Sequence, residues 1–395
     1  MNMTWRKSVC EASADVYRTQ SAAPGCAKLV KVFFLSISLV VLGTWGSGAM
    51  AANCTATTAA PQPRNWSVAA TWSCGHVPAN GDKATIPNGA TVVLDVNTNL
   101  LNDLNVNAGG VLRGDNTNKT LTIDNGGGAD LTNNGTIDFG EGNLATIFLN
   151  RSSQWSGNAG TWNLSTINLN ANTLSFSGGS TFTVNMSGAA TPLLNAGTVT
   201  SLSTVTWNFT GSVAQTLPAS ANVRYGNVTV SNTAGTTLGV NLTTTNTLGN
   251  LTVASNGILN NGGFSTTLNA GKNFVMQANA QFNLTGTSTM VAVSGAGTRT
   301  FDATSTVNYG GANQVVTAEA YGNLTLSGSC TKTMPATAMT VAGDFSMSGT
   351  ATATAAAAIA VGSNVTIGAG ATFNAGAFNH TVSGNWDATG TFNAG

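Results

Sequence analysis

Charge is what this sequence has least of. Only 7% of its 395 residues are Asp, Glu, Lys or Arg, against roughly 25% in ordinary globular proteins. No basic stripe stands out, so a nucleic-acid-binding face is not expected. Histidine occurs twice, as His76 and His380. No Gly-x-Ser-x-Gly, His-Glu-x-x-His or phosphate-cradling Gly-Lys motif is present, which argues against triad hydrolases, zinc peptidases and P-loop enzymes. Beyond residue 52 no segment shows a capped 3.6-residue apolar period, so helices are not expected either. Disorder does not fit, because 42% of the chain is apolar and Val, Leu, Ile and Phe recur throughout.

What is present begins with a leader. Lys28 and Lys31 precede the apolar run "VFFLSISLVVLG", and Ala49-Met50-Ala51 supplies a small-residue cleavage pattern. Residues 1–51 therefore read as a signal peptide with an extended n-region. The run from Val32 to Gly43 is too short for the ~20 residues that span a bilayer. Cleavage removes Arg6, Lys7, Arg18, Lys28 and Lys31 with Glu11 and Asp15, and leaves nine basic and twelve acidic residues. It also removes Cys10 and Cys26, so Cys54, Cys74 and Cys330 enter an oxidising compartment. Cys54 and Cys74 are the expected disulfide, and Cys330 is expected to sit as a small buried apolar residue.

Strands follow one another along the exported region. In "TFTVNMS", Phe182, Val184 and Met186 share one face and Thr183 and Asn185 the other. An internal repeat overlies the alternation. A small residue, then Asn or Asp, then an apolar-polar-apolar triplet recurs at Asn227, Asn250, Asn273, Asn323, Asp344, Asn364 and Asn385, at intervals of 23, 23, 50, 21, 20 and 21. The interval of 50 reads as two turns with the middle one degenerate near "TRTFDA". A longer unit starting at Ser203 is echoed from Ser305. Even the Ala-rich "TATATAAAAIAVG" reads as a thin turn of the same series.

A period of twenty-odd residues with several strands and no helix predicts an all-β, right-handed parallel β-helix (β-solenoid) of about 20–23 residues per turn with an N-terminal cap. About 14 turns at ~4.8 Å each would make a rod of roughly 70 Å. The recurring Asn and Asp residues are expected to form one structural ladder along it. Residues 52–82 are assigned to the cap and 83–395 to the solenoid. "TFNAG" at 372–376 recurs at 391–395, so the solenoid is expected to continue past the last residue.

The cap segment "NWSVAATWSCGHVPANGD", residues 65–82, concentrates Trp66, Trp72, Cys74, His76 and Asp82. Trp66 and Trp72 suit a lid over the first turn, with Pro78 and Gly81 turning the chain and Asp82 accepting backbone N–H groups there. The same two rings are candidate carbohydrate contacts. A metal or nucleophile site at Cys74 and His76 lacks further ligands in the neighbouring sequence. The order Trp66, Trp72, Gly75, Pro78, Gly81-Asp82, Ile86-Pro87, Gly89, "VVLD", "LNVNAGGVL" resembles the opening of the eight-glycine extracellular domain family over residues 65–115. The two cysteines around the first Trp are similar to the N-terminal region of proteobacterial surface proteins accompanying mannose-sensitive haemagglutinin pili. The later "YGNLTLSG" and "TVAGDFSMSG" units resemble repeats of bacterial adhesin-like proteins. These resemblances imply an exported, cell-surface or extracellular bacterial β-helix associated with adhesion or ligand binding, with no catalytic residue carried over.

Two further groups invite a site. Asp124, Asp130, Asp138 and Glu141 are the densest acids and a weak calcium candidate, although "GGGAD" lacks the repeated Gly-Gly-x-Gly-x-Asp pattern. Arg113-Gly114-Asp115 is expected in a turn. Later acids are far apart, which disfavours the clustered carboxylates of a polysaccharide lyase or hydrolase. No cofactor is expected. The reading that follows is an adhesin-like stalk or surface contact element, with surface glycans or cell-surface molecules as partners and no membrane span. A carbohydrate-binding or polysaccharide-degrading β-helix and an autotransporter passenger are the alternatives.

Overall fold

The computed structural model describes residues 51–124, 127–218 and 222–395. All of the expected leader but Ala51 lies outside them. Within the described residues the chain is a parallel β-solenoid of about 14 turns, with a single 3₁₀ turn at Ala69–Thr71 as its helical element. No helix there is long and apolar enough to cross a membrane.

Each turn visits three faces in the same order. The first face is an eight-stranded sheet from Asn53–Thr55 to Val223–Arg224. It thins to the isolated bridges Tyr225 to Thr247, Leu242 to Thr266 and Thr267 to Ala292, then resumes as five strands from Gln314–Val315 to Thr391–Asn393. The second face runs as eleven strands from Arg64–Asn65 to Arg299–Phe301, followed by four from Ala320–Tyr321 to Thr381–Val382. The third carries four strands from Lys119–Ile123 to Leu193–Leu194 and then nine from Gln215–Leu217 to Trp386–Ala388. The antiparallel bridge among the described residues, Ala56 to Trp72, belongs to the cap.

Alternation explains the register. In Thr161–Leu164 the side chains of Trp162 and Leu164 point inward and those of Thr161 and Asn163 outward. This strand pairs in phase with Thr136–Phe139 below and Thr183–Met186 above. A one-residue slip would turn the whole apolar column out. The interior of the middle turns is an aromatic stack: Trp155 on Trp162 at 5.3 Å, Trp162 on Phe182 at 4.9 Å, Phe182 beside Phe176 at 5.6 Å, and Phe176 edge-on to Trp207 at 6.0 Å. Burying each such ring contributes on the order of 1.5–3 kcal/mol. The Ala-rich segment forms the thin turn expected of it, with strands Thr352–Thr354 and Ile359–Val361.

The ladder differs from the expectation in its number and its chemistry. Asn227 begins, and Asn250 and Asn273 immediately precede, strands of the second face, whereas Asn323 begins, and Asp344, Asn364 and Asn385 immediately precede, strands of the third. The interval of 50 is therefore a change of face as well as a gain of turns. The echoed unit shows the same shift, since Thr206–Phe209 lies on the second face and Thr306–Tyr309 on the third. The rungs are not amide-to-amide. The Asn250 N–H donates to Asn227 Oδ1 at 3.0 Å, and the Asn273 N–H to Asn250 Oδ1 at 2.9 Å. On the third face the Asp344 N–H donates to Asn323 Oδ1 at 2.8 Å, Asn364 to Asp344 Oδ1 at 3.0 Å, and Asn385 to Asn364 Oδ1 at 2.9 Å. Each side chain thus satisfies the backbone donor of the next turn where the chain enters a strand.

Candidate functional site

The segment assigned to the cap also builds the first turn. Asn53–Thr55 pairs with Lys83–Ile86, and Arg64–Asn65 with the strand Thr91–Leu94. Between them the chain folds over the open end of the apolar column. Trp66 and Trp72 meet edge to face with ring centroids 4.6 Å apart, and the Trp72 indole N–H donates to the Trp66 carbonyl at 3.0 Å. Their residual exposures are 0% and 3%. Neither indole offers a face to solvent, so the carbohydrate contact expected of them is not available: the rings are spent on closing the column.

Beside them Cys54 and Cys74 form a disulfide with a sequence separation of 20. Asp82 lies under it, almost fully buried. Its Oδ1 accepts the Ala52 N–H at 2.6 Å and its Oδ2 the Ala79 N–H at 2.7 Å. His76 Nε2 stands 3.0 Å from the same Oδ2, and His76 Nδ1 lies 3.1 Å from the Cys74 carbonyl oxygen. Burial works against the charge on Asp82, but the Ala52 and Ala79 N–H groups and His76 outweigh it and hold the carboxyl below the ordinary Asp value. The donor atoms of Cys54, Cys74 and His76 all lie within 4.8 Å of one another, and Asp82 Oδ2 is 3.8 Å from Cys54 Sγ. Cys54 thus joins Cys74 and His76 in one group, with Asp82 at its edge. Only the alternation of the first strand, which turns Cys54 inward, hinted at this.

The four acids of the calcium candidate are not brought together. Asp124 pairs with Arg151 at 3.2 Å. The buried Asp130 accepts the Gln154 N–H at 2.7 Å. Asp138 accepts the side-chain amides of Asn143 at 2.9 Å and Asn163 at 3.4 Å. Glu141 takes both the N–H and the hydroxyl of Ser212. Each carboxylate stitches turns or loops, and among the described residues none of them joins a group of three or more metal-binding side chains.

Arg113-Gly114 does not lie in a turn. It closes the strand Val111–Gly114, with Arg113 in register with Asp138, and Asp115 follows, bonded to Thr117. Cys330 is also misplaced by the sequence reading. It is exposed, with a φ of 67°, at a corner before the strand Thr331–Thr333. The buried polar residue of that strand is Lys332, whose Nζ donates to the carbonyls of Gly311 and Ala312 and to Gln314 Oε1. Burial lowers its pKa. Alternation in "TKT" is the signal that placed it inside.

His380 is satisfied at both nitrogens: Nδ1 accepts the Ile359 N–H at 3.1 Å, and Nε2 lies 2.9 Å from the Ala375 carbonyl oxygen. It borders an open depression of about 800 Å³ at the last turn, where Phe378, Trp386 and Phe392 are 42%, 41% and 39% exposed.

Residues 71–127 match the G8 domain, a family of extracellular domains. The match covers the second half of the cap and the first turns of the solenoid. No curated protein and no solved structure matches the chain.

Proposed function

We propose that the protein is an exported bacterial surface element: a stalk or contact rod of the adhesin-like kind, whose partners are surface glycans or other cell-surface molecules. The observation that carries this reading is the construction of the rod. Its outward positions are Thr, Asn and Ser held in register from turn to turn, as in Thr161, Thr183 and Thr206 or Asn163, Asn185 and Asn208. Neighbouring amides donate to one another, at 3.1 Å from Asn185 to Asn163 and 2.9 Å from Asn208 to Asn185. A rod of this kind presents length and repeated polar surface. Asp124, Asp130, Asp138, Glu141, Asp344 and His380 are each occupied by residues of other turns. The extracellular character of the G8 match supports export, and the disulfide suits an oxidising compartment.

Antibody labelling of intact producing cells tests the reading. Labelling without permeabilisation is the expected result, and an epitope reached only after lysis would overturn it. The carbohydrate-active alternative is tested on a polyuronate panel, where release of unsaturated or reducing products would put turnover ahead of contact.

A further inference from the structure

We infer that the cap holds a second, metal-binding state: when the Cys54–Cys74 disulfide is reduced, the two thiolates, His76 Nε2 and Asp82 Oδ2 form a four-coordinate zinc site. Three of the four donors are already grouped, and the fourth stands beside two of them. Cys54, Cys74 and His76 lie within 4.8 Å of one another, and Asp82 Oδ2 stands 3.0 Å from His76 Nε2 and 3.8 Å from Cys54 Sγ. Tetrahedral zinc, with bonds of about 2.0–2.3 Å, spaces its donors roughly 3.3–3.8 Å apart. The adjustments required are the parting of the two sulfurs once their bond is broken and the approach of the Asp82 carboxylate to Cys74, at the rim of the cap where Cys74 and His76 are accessible.

The His76 ring is also already oriented, held at both nitrogens. A carbonyl oxygen can only accept, so His76 Nδ1 donates its proton to Cys74 O. Nε2 then faces a carboxylate oxygen, another acceptor, at 3.0 Å. A proton on Nε2 makes this contact an ion pair, and a zinc ion would take the place of that proton. Supporting bonds are also in place. Zinc-bound histidines commonly give their other N–H to a carbonyl, and ligating carboxylates are themselves hydrogen-bonded. Here the Cys74 carbonyl and the Ala52 and Ala79 N–H groups fill those roles.

The switch balances as a thiol–disulfide exchange. A dithiol reductant gives two electrons and two protons to the Cys54–Cys74 bond and leaves as its own disulfide. Zinc then displaces the two thiol protons and binds two thiolates, a neutral imidazole and a carboxylate. In the return step a disulfide oxidant accepts the two electrons of the thiolates and leaves as its own dithiol, which expels the metal and restores the Cys54–Cys74 bond.

The test uses the full chain carrying Cys10→Ser, Cys26→Ser and Cys330→Ser, so that two cysteines remain. A phosphine serves as reductant because it does not compete for zinc. Its oxidation to the phosphine oxide takes the oxygen of one water, whose two protons go to the sulfurs. The oxidised chain is expected to bind no zinc, and the reduced chain one equivalent. Cobalt in its place should give thiolate-to-metal charge transfer and the visible bands of a tetrahedral site. His76→Ala and Asp82→Asn should each weaken zinc binding at least 10-fold, and Asp82→Asn is paired with circular dichroism of the solenoid to separate misfolding from ligand loss. A folded reduced chain that binds no zinc overturns the proposal. So does binding that survives Cys54→Ser with Cys74→Ser, or that is indifferent to both His76→Ala and Asp82→Asn.

Discussion

A methyl group added at Gly249 or Gly343 would strike the Asn227 or Asn323 side chain of the turn before. That close approach is why Gly and Asn travel together through the repeat: the ladder residue of one turn occupies the space that a Cβ in the next would need. Gly343→Ala is expected to destabilise the chain by about 1–3 kcal/mol. Gly343→Ala with Asn323→Ala should cost less than the sum of the two, because the second change removes the atom struck by the first. Urea midpoints of the four proteins decide it, and strict additivity would rule the clash out. Asp344 titrates within the same ladder. The Asn364 N–H, helped by the Ser363 hydroxyl, holds its carboxyl below the ordinary value of 3.8. A depressed folded-state pKa means stability that is complete above about pH 3.8 and lost as pH falls through the folded value. Asp82 behaves alike. Asp344→Asn should change the unfolding free energy near neutral pH by no more than about 0.5 kcal/mol and flatten its fall below pH 3.8. An unchanged acid limb would show that Asp344 carries none of it. At this scale the spacing of Gly-Asn was plain in the sequence. The receiving atom was not, because an Asn can donate to its neighbour or accept from a backbone N–H, and composition does not choose between them.

Among the elements, the strands follow from period-2 alternation, and the burial of Phe182, Val184 and Met186 against Thr183 and Asn185 is what alternation alone requires. The cap was legible as a concentration of Trp, Cys and Asp, but its wiring was not. Cys54, Cys74, His76 and Asp82 meet because a strand, a 3₁₀ turn and a loop fold back on one another, and no spacing rule covers that path. Lys332 was overlooked because a charged residue in a charge-poor chain reads as surface, although its register with Ala353 and Phe373 turns it inward. The disulfide closes a loop of 20 residues, worth about 3 kcal/mol by restriction of the unfolded chain. Cys54→Ala with Cys74→Ala should lower the unfolding free energy by roughly that amount, measured by urea denaturation under non-reducing conditions. A loss below about 0.5 kcal/mol would mean that ring packing and Asp82 hold the cap without it.

For the whole molecule, period and length foretold a stack of about 14 turns, but a period counts residues and carries no label for the face on which each repeat begins. Two families of repeats of nearly equal length therefore looked like one series. In the structure the Asn227 series ends where the Asn273 side chain accepts the Thr298 N–H, and the next series opens at Asn323 on another face. Between them the first face is held by the single bridge Thr267 to Ala292, and the chain from Thr285 to Thr298 contributes no named strand. In a crystal such a place would be called a stacking fault. Each turn couples chiefly to its neighbours, so a fault weakens cooperativity between the blocks on either side. Limited proteolysis should cut first within residues 285–298 and release two resistant fragments, whereas cleavage scattered evenly along the chain would argue for a single cooperative rod. A rod with one built-in fault yields there before it yields elsewhere, so a pull on its far end would open a slack segment in the middle while the disulfide-closed end stays folded.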